Sequence, residues 1–166
     1  MQQNQGVILL HSALGQAQMA AGQVNDSLTT FAHAETLFPR NVPLSVRYGE
    51  ALMKAGRAKE AHTLLLDLFN NVEPTPAQIR LTALAANAAG DSGDAYYYMG
   101  EYQISSGDLP LAARQYELAL AAPNLTLIQR ERFQARLDEI HEYLANERRA
   151  HREASTEQEG GGHHLK

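Results

Sequence analysis

The stretch LGQAQMAAGQVNDSLTTFAHAETLFP, from Leu14 to Pro39, contains two amphipathic segments with a glycine between them. Gly15 and Gly22 are followed, at one common interval, by Gly49 and Gly56. Small residues therefore return at a fixed spacing along the chain. That spacing, of about 34 residues, is typical of arrays in which every repeat is one helix–turn–helix unit.

The composition favours a protein built from helices. The chain has 166 residues, of which 44% are apolar, and its net charge is −5. β-Branched residues are sparse and never alternate with polar ones, which argues against strands. The acidic balance argues against a nucleic-acid partner, because such binding requires clustered positive charge. The absence of cysteine excludes disulfides and cysteine-bound metals, and no segment approaches the roughly 20 apolar residues of a membrane span.

Capping residues, prolines and glycines mark the ends of the predicted helices. Asn41 and Asp108 each precede a proline in a first helical turn. Thr75 with Gln78 fits the capping box, in which each side chain bonds the backbone of the other residue. The predicted helices are 5–21, 24–37, 42–55, 58–70, 76–89, 93–106, 109–121 and 126–150. Their short connections predict antiparallel neighbours.

The pattern within these helices is similar to the tetratricopeptide repeat. Ser27, Phe31, Ala34 and Pro39 occupy the places where that repeat has Ala, Phe or Tyr, Ala and Pro. Small residues are expected where the two helices of a hairpin cross, and bulky ones between successive hairpins. The matching residues of the next two units are Tyr48, Gly49, Ala55, Gly56, Ala61, Leu65 and Leu68, then Ala83, Ala89, Gly90, Ala95, Met99 and Tyr102. Hairpins of this kind stack into a solenoid.

A fourth match breaks the period. It is centred on Gly100, which follows Gly49 by one and a half repeat lengths. The helix at 93–106 is therefore predicted to be both the second helix of unit three and the first of unit four. We predict an all-α solenoid of about four repeats with a long C-terminal capping helix. The expected organisation is a polar leader at 1–5, the array with its capping helix at 6–150, and a disordered tail or cloning remnant at 151–166.

The segment GEYQISSGDLPLAARQYELALAAPNLTLIQRERFQARLDEIHEYL, Gly100 to Leu144, permits a narrower comparison. It resembles the end of the repeat domain that follows the peptidase domain in BepA-type bacterial periplasmic zinc metallopeptidases. The matching elements are Gly100-Glu101-Tyr102, Gly107-Asp108-Leu109, Gln115 to Leu120, Pro123-Asn124-Leu125 and Arg132 to Glu139.

This resemblance implies a non-catalytic, protein-binding domain that acts in periplasmic and outer-membrane protein quality control. Its implied partners are protein or peptide segments, from either outer-membrane assembly proteins or the parent's own peptidase domain. Zinc is then expected only in that peptidase domain, so this chain should hold no cofactor or metal. A stand-alone tetratricopeptide scaffold with no protease attached remains the alternative.

No catalytic motif is complete in the sequence. His141-Glu142 begins like the zinc-binding HExxH helix, but Ala145 stands where the second histidine is required. Nothing supports a free-standing hydrolase, and the chain is not expected to be an enzyme. The His163-His164 pair is expected to be part of the tail and not a metal site.

A peptide is expected in the groove that the first helices line. Ser12 and Ile104 are minor candidates. The main candidates are Gln16, Met19, Val46, Glu50, Met53, Arg80, Leu84, Asn87, Tyr97 and Glu101. Met19 and Met53, one repeat length apart, either form an adaptable apolar stripe in the groove or pack beneath a neighbouring helix.

Two further expectations concern the groove and its surroundings. Tyr96 should pack between helices while Tyr97 faces the groove, because neighbouring helical residues point about 100° apart. Glu50 and Glu101 should make the groove favour neutral or basic segments. Exposed end helices of such arrays can also pair, so a homodimer is a further expectation.

Overall fold

The computed structural model describes residues 2–160, and the side chains of 4–158. These residues form eight α-helices joined by short turns, and no strand occurs among them. The helices are α1 (Gln2–Ala20), α2 (Val24–Leu37), α3 (Val42–Lys54), α4 (Ala58–Asn71), α5 (Pro76–Ala88), α6 (Ser92–Ser105), α7 (Leu109–Ala121) and α8 (Leu127–Gly160). The fold is the predicted all-α solenoid of helical hairpins.

The predicted capping interactions set the helix ends. The Asn41 side chain accepts a hydrogen bond from the Leu44 amide at 3.2 Å. Thr75 and Gln78 form the full capping box, with bonds of 3.0 and 3.4 Å. The turns after α1, α3, α5 and α6 each contain a glycine with φ between 75° and 84°. Only glycine adopts this conformation without strain, which explains why these turns can be so short.

Close helix crossings repeat through the array. In each case a glycine on a first helix lies beneath a large side chain of the second helix, at the same sequence separation. A Cβ atom added to the glycine would lie 2.6 Å from the partner for Gly15 and Phe31, 3.2 Å for Gly49 and Leu65, and 2.6 Å for Gly100 and Tyr116. The crossing at Gly100 shows that α6 and α7 form a hairpin of the same kind as α1 and α2.

Helix α6 belongs to two hairpins, as the break in period predicted. It packs along α5 as a second helix and along α7 as a first helix. Helix α8 packs on α7 and also touches α6, in the way that α3 packs on α2 and touches α1. Helix α8 thus takes the place of the next repeat's first helix and closes the stack.

Both ends of the helical region extend beyond the predicted bounds. Helix α1 begins at Gln2 inside the predicted leader, and α8 continues to Gly160 instead of ending near 150. The segment 151–159 contains no proline or glycine, and six of its nine residues are Glu, Gln, Arg or Ala, which are strong helix formers. A helix with no breaker has no local reason to stop. The remainder of the predicted tail, including His163-His164, lies outside the described residues.

Buried side chains form two main clusters. One lies among α2 to α5 and includes Phe31, Leu44, Leu52 and Leu65. The other joins α7 to α8 around Tyr116. Within 2–160, no helix combines the length and apolar character needed to cross a bilayer.

Candidate binding clefts and a buried polar cluster

A cleft of about 320 Å³ opens between the first helices α1 and α3. We call it the N-terminal cleft. Its base is formed by Phe31 and Ala51, and its walls are Gln16, Met19, Ala20, Arg47, Glu50 and Lys54. The base is apolar and the walls carry polar and charged groups. Such a surface can pack against the side chain of a peptide while it bonds polar groups beside it.

The charges of the N-terminal cleft do not balance. Arg47 Nη1 lies 3.2 Å from Glu50 Oε2 on the same helix, which neutralises that acid. Lys54 makes no ion pair with any of the residues that the structure describes. The walls therefore carry a net positive charge, because two cations accompany one carboxylate.

A second cleft, of about 230 Å³, lies between α5 and α6. We call it the central cleft. Two large side chains are partly open to solvent there, since Leu84 is 52% and Tyr96 is 39% exposed. Its lining residues are Ala83, Leu84, Asn87, Ser92, Ala95, Tyr96, Met99 and Gln115.

The predicted groove residues divide among these surfaces. Gln16, Met19 and Glu50 lie together in the N-terminal cleft, and Leu84 with Asn87 lies in the central cleft. The other first-helix candidates on α3 and α5 line neither cleft. Met53 packs against the hydrophobic core, Val46 is half-buried and Arg80 is exposed. Of the two alternatives for the methionines, Met53 follows the one in which it packs beneath a neighbouring helix, whereas Met19 both touches the core and lines its cleft.

The assignment of the neighbouring tyrosines was wrong, because their roles are exchanged. Tyr97 is half-buried and stacks on Phe133 of α8 with ring centroids 5.0 Å apart. The Arg132 guanidinium lies 4.4 Å from the centroid of the Tyr97 ring, and burial raises the pKa of Tyr97. Tyr96 faces the central cleft instead. Tyr97 does occupy the first-helix position of unit four, but α8 covers that face.

Glu101 is likewise enclosed by α8 and is not available to a peptide. Its carboxylate accepts hydrogen bonds from the Tyr116 hydroxyl and from Arg136 Nε, the latter at 2.8 Å. The bond to Glu101 raises the pKa of Arg136 above its ordinary value. Burial, followed by the same carboxylate, raises the pKa of Tyr116. The expected preference of the groove for neutral or basic segments rested on Glu50 and Glu101. Glu101 is enclosed by α8, and Glu50 is neutralised by its pairing with Arg47.

Helices α4, α6 and α8 meet at a polar cluster centred on Asp94, which is 3% exposed. His62 Nε2 lies 3.1 Å from Asp94 Oδ2. Gln129 Nε2 and Arg132 Nη2 donate to Asp94 Oδ1 at 3.0 and 3.2 Å. Burial alone would raise the pKa of Asp94, but the hydrogen bonds from His62 and Gln129 and the charge of Arg132 lower it below its usual value.

The cluster contains a metal-like set of donors. Ligand atoms of His62, Asp91 and Asp94 all lie within 4.8 Å of one another. However, the Gln129 amide donates to both carboxylates, and Arg132 places a positive charge against Asp94. Since the Gln129 amide bonds both carboxylates and Arg132 neutralises Asp94, the arrangement is suited to joining helices rather than to binding a cation.

Sequence reasoning missed several of these residues. Arg47 and Lys54 share a face of α3 with Glu50, one helical turn to either side of it, and this spacing could have placed them in the cleft. The partners of Arg132 could not have been found in this way. They lie far back along the chain, on α6, and only the packing of α8 brings them together.

A family model agrees with the repeat assignment over part of the chain. Residues 18–85 match the family model described as "Tetratricopeptide repeat". Two crystal structures of MamA show weak likeness, each at 16% sequence identity. One covers 100% of this chain and 98% of its own with a TM-score of 0.47, and the other covers 81% and 96% with a TM-score of 0.43. No protein with a curated description matches the chain.

Proposed function

We propose that this chain, whose residues 18–85 match tetratricopeptide repeats, is a non-catalytic module that binds a peptide segment in the N-terminal cleft. The observation that carries the proposal is the open space between α1 and α3, with its apolar base and polar walls. Tetratricopeptide arrays use the surface of their first helices in this way. The cleft is small and partly polar, so short peptides should bind no more tightly than about 1 μM, or roughly −8 kcal/mol.

The preferred ligand is an acidic or carboxylate-bearing segment. Glu50 is already paired with Arg47, while Lys54 projects from the same wall of the cleft. An incoming carboxylate would gain an ion pair with Lys54, whereas a basic segment would meet an excess of positive charge. This attraction acts near the surface and should weaken as salt rises.

The test compares an acidic peptide with a basic peptide of the same length and apolar content, by isothermal titration calorimetry. We expect the acidic peptide to bind more tightly, and Lys54→Glu to reduce or reverse that preference. Lys59→Glu on α4 is the matched control, because it makes the same charge change outside the cleft. Equal binding of both peptides, or equal effects of the two substitutions, would contradict the proposed ligand.

The larger protein is proposed from the resemblance of Gly100 to Leu144. On that ground the chain is the C-terminal module of a periplasmic zinc metallopeptidase of the BepA type, acting in outer-membrane protein quality control. The zinc would belong to the peptidase domain, and this chain would hold none. The stand-alone scaffold remains the second candidate. The sequence upstream in the parent gene decides between them, since the first requires a signal peptide and an HExxH helix.

A further inference from the structure

The outer face of α1 carries an exposed apolar stripe. Val7, Leu10 and Leu14 are 40%, 72% and 52% exposed, and their spacing places them on one side of the helix. The exposed Ala17 and Ala21 continue this side to the end of α1 and just beyond it. Helix α1 contains no Asp, Glu, Lys or Arg. An exposed helix face that is both apolar and free of charge is unusual in a water-exposed position.

The internal repeat identifies what ordinarily covers this face. Leu44 and Tyr48 on α3 lie one repeat length after Leu10 and Leu14. Leu44 is fully buried, and Tyr48 stacks on Phe31 of α2 with ring centroids 6.0 Å apart. On α3, therefore, the side that carries Leu44 and Tyr48 is covered by α2, the second helix of the preceding hairpin.

The small residues on the corresponding side of α3 and α5 are also buried. Ala51 on α3 and Ala85 on α5, which correspond to Ala17 on α1, are 4% and 0% exposed. Small side chains at this position allow a neighbouring helix to approach closely. On α1 no helix among residues 2–160 lies there, so the described part of the chain leaves this helix-packing surface uncovered.

The outer side of α8, at the opposite end of the stack, is too polar to pack against the apolar stripe of α1. The outer side of α8 carries Arg130, Glu131, Gln134 and Asp138, all exposed. If copies stacked head to tail, α1 of one copy would bury these polar and charged groups without partners, which is costly. A charge-free apolar face meets no such penalty against a second copy of itself.

We propose that two copies of this chain pair through the outer faces of their α1 helices. The helices lie side by side about a two-fold axis, so that the same stripe is used by both copies and the assembly closes as a dimer. A helix of 19 residues is about 28 Å long, which gives an interface at the small end of the specific range. The dimer is therefore expected to be weak and to dissociate on dilution.

Sedimentation velocity of the full 166-residue chain tests this pairing. Between about 10 and about 300 μM, in the range of a weak complex, the wild type should shift from monomer to dimer. The double substitution Leu10→Glu, Leu14→Glu should weaken this association by at least about tenfold. Its thermal melt, followed by circular dichroism, should remain cooperative because both side chains are exposed.

The matched control is Leu127→Glu, Ile128→Glu at the start of α8. These side chains are 70% and 77% exposed, and changing them should leave the dimer intact. A wild type that stays monomeric throughout the range would overturn the pairing. Equal loss of dimer in both double variants would also overturn it.

Cysteine crosslinking supplies a second, independent measurement, because the chain has no native cysteine. Under mild oxidation, Leu14→Cys should form a disulfide-linked dimer, since the residue lies near the middle of the stripe. Leu127→Cys should not. Crosslinking at Leu127 without crosslinking at Leu14 would place the contact at the other end of the molecule and would refute the proposal.

Discussion

Two pairs of first helices occupy the same register in this protein but create opposite environments. When Gly100 on α6 is aligned with Gly15 on α1, Arg132 on α8 coincides with Arg47 on α3. Arg47 pairs with its own helix and borders an open cleft. Arg132 instead bonds Asp94 and lies 4.4 Å from the centre of the Tyr97 ring. One pair leaves an open cleft, and the other is closed by contacts between its two helices.

The difference comes from what the preceding helix presents. In the same alignment, the α1 residues that correspond to Asp94 and Tyr97 are Leu9 and Ser12. They offer an arginine neither a carboxylate nor an aromatic ring. Arg47 therefore remains at the surface, whereas its counterpart on α8 is held by both groups. These two positions on the first helix therefore distinguish the surroundings of Arg47 from those of Arg132.

The largest expected effect concerns the close helix crossing at Gly100, which is equivalent to the crossing at Gly15. A leucine at Gly100 would force its Cβ to within 2.6 Å of Tyr116, whose ring is fully buried and whose hydroxyl bonds Glu101. We expect Gly100→Leu to lower the free energy of unfolding by about 3 kcal/mol through overpacking. Urea unfolding measures this loss.

Gly49→Leu is the comparison for that variant. The Cβ would lie 3.2 Å from the flexible end of Leu65, so the cost should be nearer about 1–2 kcal/mol. The exposed Lys59→Ala should be nearly silent. If Gly100→Leu unfolds at the same urea concentration as the wild type, α6 and α7 do not form a repeat-type hairpin.

An effect of intermediate size is expected in the free energy of unfolding when Arg132 and Arg47 are each replaced. Arg132→Ala removes a partner of a buried carboxylate and a cation–π contact, for an expected loss of about 2 kcal/mol. Arg47→Ala removes one exposed pair and should change stability by less than about 0.5 kcal/mol. Thermal and urea unfolding of both variants make the comparison. Equal losses would mean that α8 is not held more firmly than α3.

The smallest expected effect is a difference in acid sensitivity. Because the folded-state pKa of Asp94 is lowered, its ionised form stabilises the fold above the ordinary carboxyl pKa of about 3.9. This contribution is lost as the pH falls through the lower folded-state value. Asp94→Asn should therefore be less stable than the wild type near neutral pH and should lose less stability on acidification.

Melting temperatures measured from neutral pH down to below the carboxyl range test that expectation. The two curves should converge in acid. Asp67→Asn is the control, since the ion pair of Asp67 with Arg40 is exposed at the surface, and its curve should run parallel to that of the wild type. Parallel curves for Asp94→Asn would show that the Asp94 cluster contributes nothing to the acid response.

The fold was predictable because its determinants are local and periodic. Gly15, Gly49 and Gly100 mark the helix crossings, and capping residues such as Thr75 mark the helix starts. The repeat interval then orders the hairpins without any knowledge of long-range contacts. The end of α8 was less predictable, because only the absence of a breaker determines how far that helix runs.

The site was predictable only where the repeats are regular. Gln16 and Glu50 lie in one cleft, as their shared register suggested. Tyr97 has the same kind of register and yet is half-buried and covered, because Phe133 and Arg132 reach it from α8. A register describes which side of its own helix a residue occupies. It carries no information on whether another segment covers that side.

The shared helix α6 has a consequence for how the array comes apart. In a regular solenoid each hairpin contacts only its neighbours, so the ends can fray one unit at a time. Helix α6 cannot open without breaking the hairpin with α5 and the hairpin with α7 together. Its backbone amides should therefore be among the slowest in the array to exchange with solvent, and fraying that starts at either end should slow there.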